Sequence, residues 1–231
     1  MGKAVEQMLP LMKTKNQLLP FLNIAANIAA DPSDLFAVTA PQINTVEIDV
    51  LADVSVWIDF TSGAGLTELL RATAKLGTPV VSGSTGLSKA DFGRLRSASK
   101  KRNIFWASNM SPGLWAFRQA MKGLSTVSNF DFSIEEIHHT QKKDRPSGTA
   151  KTLHSDLQQI TAKKIDNPVS LRLGGVFGIH TLLAASSNEM ITMQHQALNR
   201  TVFAEGALLA CDWLVGQSAG LYTMDDLFLK K

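Results

Sequence analysis

FDFSIEEIHHTQKKDRPSGTAKTLHSDLQQI, residues 130 to 160, reads as a strand, a loop and a helix. Phe130, Phe132 and Ile134 alternate with Asp131, Ser133 and Glu135, a period of two that predicts a strand with one buried face. Ala150, Leu153, Leu157 and Ile160 then recur at helical spacing. Two histidines, His138 and His139, two lysines, Lys142 and Lys143, and Arg145 therefore fall on the strand-to-helix connection. Ser147 or Thr149 can cap the helix, and the unpaired N–H groups of its first turn face the basic loop. Such a helix start takes up carboxylate or phosphate. A histidine cap or a solvated lysine is commonplace by itself. A proton donor with a pKa near neutrality, cations beside it and an anion-binding helix start in one loop make a site for an anionic substrate.

Upstream, short apolar runs alternate with helical patterns. Val54 to Phe60 is rich in β-formers and ends at Thr61-Ser62-Gly63; Leu66, Leu69, Leu70 and Ala74 make the helix after it. Pro79 to Ser82 is a second strand, followed by Gly83-Ser84-Thr85-Gly86, and Ser88 to Asp91 opens a helix that runs towards Arg102. Ile104 to Ala107 is a third strand, ending at Ser108-Asn109-Met110. This alternation predicts an α/β fold with a parallel, doubly wound sheet, whose ligands lie beyond the carboxyl ends of its strands. Thr61, the 83–86 loop and Asn109 fall there.

Downstream, Val169 to Leu173, Thr181 to Ser186 and Met190 to Gln196 follow one another without helices, which predicts hairpins and a mixed or antiparallel sheet. Asn199-Arg200-Thr201 leads into a helix containing Phe203, Ala207, Leu208, Ala210 and Leu214. At the other end, Val5, Met8, Leu9 and Met12 share one helical face, with Pro10 bending or ending that helix. Leu18 to Ala30 is nearly all apolar and fits a strand, a helix or both.

Composition excludes several classes. With 45% hydrophobic and 19% charged residues in 231, the chain is globular rather than disordered. A formal charge of +3, with no basic stripe interleaved with aromatics, gives no support for nucleic-acid binding. Lys100-Lys101-Arg102 reads as the solvated last turn of a helix. Cys211, the single cysteine, excludes an intramolecular disulfide, suits a reducing compartment and reads as a core residue. No apolar run approaches the ~20 residues of a membrane span, and no secretory pattern opens the chain, so a cytoplasmic location is expected. His138 and His139, with His180 or His195, could suggest a metal site. Adjacent histidines on an extended chain point opposite ways, and the neighbouring lysines disfavour a cation, so no metal is expected.

The run E-x-x-H-H-x-x-K-x-D-x-P-S-G-T-A, Glu135 to Ala150, resembles the signature of the 4-hydroxy-tetrahydrodipicolinate reductase (dihydrodipicolinate reductase) family, nicotinamide-dependent enzymes of lysine (diaminopimelate) biosynthesis. The resemblance extends over nearly the whole chain: D-F-T at Asp59, G-[ST]-T-G at Gly83 and A-x-N-x-S-x-G at Ala107 are similar to the family's loops. It implies a Rossmann-like dinucleotide-binding domain (1–109 and 201–231) into which an α+β substrate-binding and oligomerisation domain (110–200) is inserted, in a homotetramer. It implies His138 as proton donor, Lys142 as a second donor or a charge stabilising an anionic intermediate, His139 as a substrate contact, and Gly148 and Thr149 as the holders of one carboxylate of a cyclic dicarboxylate. It implies contacts to NADPH or NADH from Gly83, Ser84, Thr85, Ala107, Ser108, Asn109 and Met110.

The family's glycine turn resembles G-x-x-G-R-M-G, and Met1-Gly2-Lys3 is similar to its last fragment, so Met1 is an expected cofactor contact while the first strand and the earlier glycines are absent. Two explanations fit: a start upstream of Met1, or Leu18 to Ala30 in the vacant strand position. Under the first, this chain binds nucleotide weakly, and an extension of about 15 to 20 residues restores binding. A non-enzymatic dicarboxylate sensor is the competing reading. Another dinucleotide-dependent oxidoreductase is a further one, against which the carboxylate-suited P-S-G-T argues.

Overall fold

A computed structural model describes Ala4 and Val5, the backbone of Asn27–Ile28 and Gln42–Ile43, and residues 54 to 229. Met1, Gly2 and Lys3 and most of Leu18 to Ala30 lie outside the described residues. The described elements run β1 (Asn27–Ile28), β2 (Gln42–Ile43), β3 (Trp57–Asp59), α1 (Gly63–Ala72), β4 (Val80–Ser82), α2 (Lys89–Ser99), β5 (Asn103–Trp106) and α3 (Pro112–Met121). A 3₁₀ turn (Lys122–Val127), β6 (Asp131–His138), α4 (Gly148–Thr161), β7 (Val169–Arg172), β8 (Gly178–Ala185), β9 (Met190–Ala197), α5 (Thr201–Val215), β10 (Gly220–Tyr222) and α6 (Met224–Phe228) complete them. The chain divides into two compact units: Met1–Met110 with Phe203–Lys231, and Ser111–Val202.

In the first unit, four parallel strands stand in the order β10-β5-β4-β3. Trp57 on β3 joins Leu66, Leu70, Val80, Leu95 and Ile104 in one cluster, while Ile58 and Phe60 pack against Ala4, Val5, Ala204 and Leu208 in another. Alternate residues of one strand thus feed two cores, so the sheet is covered on both faces, as parallel sheets require. Each fully buried leucine, isoleucine or valine among them contributes roughly 1.5–3 kcal/mol by burial. Helix starts follow the expected chemistry: Ser62 caps α1, and Ser88 with Asp91 forms a capping box on α2.

One expectation fails here. Arg102, read as solvated, is only 4% exposed. Its guanidinium donates to Thr73 Oγ1 at 2.8 Å and to the carbonyls of Leu70 at 3.2 Å, Thr73 at 3.3 Å and Thr78 at 3.4 Å. The last turn of α1 leaves carbonyls without intrahelical partners, and a fork of five donors satisfies them where water cannot.

The second unit is a sheet in the order β7-β6-β8-β9, with β7 parallel to β6 and the other pairs antiparallel. One face packs on α3 and α4: Ile134, Leu182 and Ala184 meet Leu114, Phe117, Leu153 and Leu157. Arg118 of α3 holds Asp156 of α4 at 2.6 Å. Strand boundaries move by a few residues from those read in the sequence. The alternation of β6 continues through the Glu-Glu-Ile-His run, so His138 ends a strand rather than opening a loop, and β8 starts at Gly178 instead of Thr181. Because β6, β7 and β9 run the same way, the residues past their carboxyl ends gather at one edge. No described helix is long and apolar enough to cross a membrane.

Candidate active site

The pleat of β6 puts Glu136 and His138 on the same face as Ile134, towards the helices. Glu136 has no solvent exposure and His138 7%. The Glu136 carboxylate accepts from His138 Nδ1, from Arg172 Nη1 at 2.9 Å and from the Ser147 amide at 3.3 Å. The motif read in the sequence began at Glu135, but that residue lies on the opposite face. Burial pushes the Glu136 carboxyl up, yet Ser170, Arg172 and His138 around it outweigh that and hold it below its usual range. For His138, burial wins over the attraction of Glu136, helped by the charges of Lys142 and Arg172, and its pKa lies below that of a free histidine. With Nδ1 committed to Glu136, Nε2 is the ring nitrogen left for another partner. That nitrogen faces Gly178, where a Cβ would stand 3.0 Å from it.

After β6 the chain turns tightly. The Lys142 amide donates to the His139 carbonyl at 3.1 Å, and the Thr140 amide to the Gly174 carbonyl at 3.1 Å. Lys142 Nζ lies 2.8 Å from Asp144 Oδ1. Burial raises the Asp144 pKa, but Lys142 and the Gly148 amide outweigh it and hold the carboxyl ionised to lower pH. Ser147 is the cap of α4: its Oγ accepts from the Ala150 amide at 3.1 Å. Gly148 and Thr149 follow in the first turn, with Gly148 exposed and open space where its side chain would be. The end of β6 and the loop after it thus carry His138, Lys142, Gly148 and Thr149 on one short path. His139, facing away from His138, lines a neighbouring cleft of about 270 Å³ with Thr140, Gln141, Gly174, Gly175, Phe177 and Arg200.

Sequence reasoning missed Glu136, Arg172 and Arg200 as members of this neighbourhood. Arg172 is the direct partner of His138 in the β6–β7 register, and Arg200 lies just beyond the end of β9. Their signal was a charged residue at the end of each co-directional strand, legible once strand direction is known.

Three histidines form a row across the sheet. His138 and His180 rings meet edge to face at 5.2 Å, and His180 and His195 lie 6.3 Å apart. Burial lowers the His180 pKa to about 4, with the charges of His138 and His195 adding to it, and burial lowers that of His195 too. His180 Nε2 sits 3.5 Å from Ser147 Oγ, and His195 Nε2 3.3 Å from Ser111 Oγ. Among the described residues, no group of three His, Cys, Asp or Glu side chains could hold a metal ion.

In the first unit, Gly83-Ser84-Thr85 follows β4, and Ala107-Ser108-Asn109-Met110 follows its neighbour β5. Asp59 organises the edge: Oδ1 accepts from the Thr61 hydroxyl and amide at 2.6 and 3.0 Å, and Oδ2 from Ser82 and Ser84 hydroxyls at 2.6 and 2.7 Å. Ser84 therefore spends its hydroxyl internally, while Thr85 and Ser108 are exposed. A Cβ on Gly83 would lie 2.2 Å from Phe60 Cε1, so only glycine lets this loop press onto the sheet end. Met110 is buried, and α5 crosses its carbonyl so closely that a Cβ on Gly206 would stand 1.7 Å away. Exposed hydroxyls and backbone at the carboxyl ends of adjacent parallel strands fit the nicotinamide and ribose of a dinucleotide. Met1 lies outside the described residues.

Residues 1–110 match the family profile described as dihydrodipicolinate reductase, N-terminus, and residues 113–228 that described as dihydrodipicolinate reductase, C-terminus. The chain belongs to the dihydrodipicolinate reductase family. It is 49% identical over 178 residues to the 4-hydroxy-tetrahydrodipicolinate reductase of Bdellovibrio bacteriovorus, covering 77% of this chain and 78% of that one. The enzyme of the same name from Xanthomonas euvesicatoria is 35% identical, over 89% of this chain and 86% of its own. In fold, the chain matches a dipicolinate-bound dihydrodipicolinate reductase from Paenisporosarcina sp. TG-14 with a TM-score of 0.75 at 18% identity, covering 98% and 96% of the two chains. The family is one of nicotinamide-dependent oxidoreductases, on a Rossmann-like unit joined to a mixed α/β unit.

Proposed function

We infer that the protein reduces 4-hydroxy-tetrahydrodipicolinate to tetrahydrodipicolinate in lysine (diaminopimelate) biosynthesis, taking its reducing equivalents from NADPH or NADH. The observation that carries this reading is the buried Glu136–His138 pair at the head of a loop bearing Lys142 and the first turn of α4. The net reaction adds one hydride and one proton and releases water. When bound, the cofactor supplies the hydride. Loss of the 4-hydroxyl as water leaves a conjugated ring; hydride adds at one of its carbons, the adjacent carbon becomes electron-rich and takes a proton, and His138, presenting Nε2 with Nδ1 held by Glu136, is the donor. Lys142 offers a charge to the anionic intermediate and exchanges Asp144 for the substrate. Gly148 and Thr149 hold one carboxylate at the start of α4, and His139 and Arg200 draw the other into their cleft.

The first unit, through Gly83, Thr85, Ala107, Ser108 and Asn109, holds the nicotinamide end, and the second binds substrate. The second unit also assembles a homotetramer through the sheet face opposite the helices, where Val169 is 52%, Leu171 45% and Met190 64% exposed. The buried, free Cys211 fits a reducing cytoplasm. The deciding experiment follows oxidation of NADPH and of NADH by the purified chain with freshly generated substrate, alongside fluorescence titration of each nucleotide. Substrate-dependent oxidation is expected. Substrate binding without turnover by a chain that binds nucleotide would replace the reductase with a dicarboxylate sensor.

A further inference from the structure

We infer that Arg172, acting with Glu136, is a positioning residue for the reduction: one guanidinium fixes both the presented edge of His138 and the backbone of the loop that carries Lys142. The inference rests on the reductase reading above.

A charge with no solvent exposure needs more than one good partner, and Glu136 divides its two oxygens between them. Oε2 meets His138 Nδ1, and Oε1 meets Arg172 Nη1 at 2.9 Å, with the arginine side chain itself only 3% exposed. The guanidinium has donors left over. Nε donates to the Lys142 carbonyl at 3.1 Å, and Nη2 to the Asp144 carbonyl. The parallel register sets His138 beside Arg172, and the Leu173 amide donates to the His138 carbonyl at 2.8 Å. The proton donor and the loop cation are therefore tied to a single planar group, buried beneath them. A carboxylate on Nδ1 keeps that nitrogen protonated and turns Nε2 towards the substrate. A fork of donors holds the 142–144 backbone at a set distance from the ring. Lysine carries the same charge but concentrates its donors on one nitrogen, and cannot span a carboxylate and two carbonyls in this geometry. A site held this closely loses about 100-fold in rate for a displacement near 1 Å.

The test uses the full chain with Arg172→Lys and Glu136→Gln, and measures three quantities: kcat against KM, the ring-nitrogen NMR shifts of His138 (assigned with His138→Gln), and amide hydrogen exchange over residues 140 to 148. Arg172→Lys is expected to fold, to lose roughly 10- to 100-fold in kcat with little change in KM for nucleotide, and to exchange faster over the loop. Its His138 signals are expected to move part of the way that Glu136→Gln moves them, because one ammonium cannot hold Glu136 Oε1 and the two loop carbonyls together. Glu136→Gln is expected to move those signals towards a mixture of the two neutral tautomers and to lower kcat similarly. Wild-type kcat and wild-type loop exchange in Arg172→Lys would overturn the inference. So would a loss of thermal stability alone, with His138 signals and kcat per folded molecule unchanged in both variants, since that is the behaviour of a merely structural ion pair. A wild-type chain inactive with both nucleotides would sink the reductase reading separately. The nitrogen shifts and the loop exchange would still decide whether Arg172 holds the two groups together.

Discussion

The Nδ1 atom of His138 is bonded to the carboxylate of Glu136, two residues back on β6 and wholly out of solvent. Burial of the ring works against its protonation and the carboxylate works for it, and burial prevails. The other charged and titratable groups facing it are Lys142 on the loop, Arg172 on β7 and His180 on β8. Since the donor must be protonated to act, kcat/KM is expected to fall as pH rises through a pKa below the ~6.5 of free histidine. His138→Ala should lower turnover by about 100-fold or more and leave nucleotide affinity nearly unchanged. A rate profile flat through this range, or equal losses of turnover and nucleotide affinity, would remove His138 from the donor role.

Gly178 stands against the Nε2 edge of His138. A methyl group there would sit 3.0 Å from His138 Nε2, tighter than ordinary contact, so the imidazole must shift. Gly178→Ala is expected to lower kcat by about 10-fold. Its effect on stability should stay within about 1 kcal/mol, because alanine suits a strand better than glycine does. Urea unfolding and steady-state kinetics on the same preparation separate the two effects, and an unchanged kcat would show that Nε2 faces elsewhere.

His180 makes stability depend on pH. Unfolded, it titrates near 6.5; folded, near 4. Its folded pKa is depressed, so its contribution is complete above about pH 6.5 and is lost as pH falls through about 4, where the unfolded chain binds the extra proton. The difference corresponds to a loss on the order of 3 kcal/mol. His180→Gln should flatten the fall in unfolding free energy between these limits. A slope equal to that of wild type would assign the acid sensitivity to other groups.

Arg102 is expected to behave as core although it is charged. Arg102→Met leaves the carbonyls of Leu70 and Thr78 without the guanidinium donor and the Thr73 carbonyl with only the Leu76 amide, at a cost of about 2–4 kcal/mol. Lys100→Met and Lys101→Met should each change stability by less than about 0.5 kcal/mol. Chemical denaturation of the three variants checks the contrast, and similar small effects in all of them would mean that the arginine is dispensable.

The outer face of the second unit carries Val169 and Leu171 on β7, in register with Glu135 and Ile137 of β6. If this face joins copies of the chain, sedimentation at micromolar concentration shows a tetramer, and Leu171→Glu shifts it towards smaller species. A wild-type chain sedimenting as a pure monomer would dispose of the assembly.

Periodicity determined the kind and order of most elements between Val54 and Leu214. Alternating residues at 130–135, helical spacing from Ala150 and the Ser147 cap are properties of neighbours in the chain, and β3 to β9 were legible on that basis, whereas β10 at Gly220–Tyr222 was not read as a strand. The chemistry of the 138–149 loop was legible for the same reason, since its residue types lie side by side. What meets that loop was decided only by the pairing of distant strands. Register put Arg172 beside His138 and Gly178 against its ring, and strand direction brought Arg200 near His139. The alternation at 130–135 already puts Glu135 on the open side, but that the strand continues to His138, and so buries Glu136 with the histidine, shows only once β6 is paired on both sides. Arg102 likewise reads as a surface charge until the carboxyl end of α1 is folded against it. Local propensity carries no record of which unpaired carbonyl or carboxylate a side chain will find across a sheet, because those partners exist only when long-range contacts have formed.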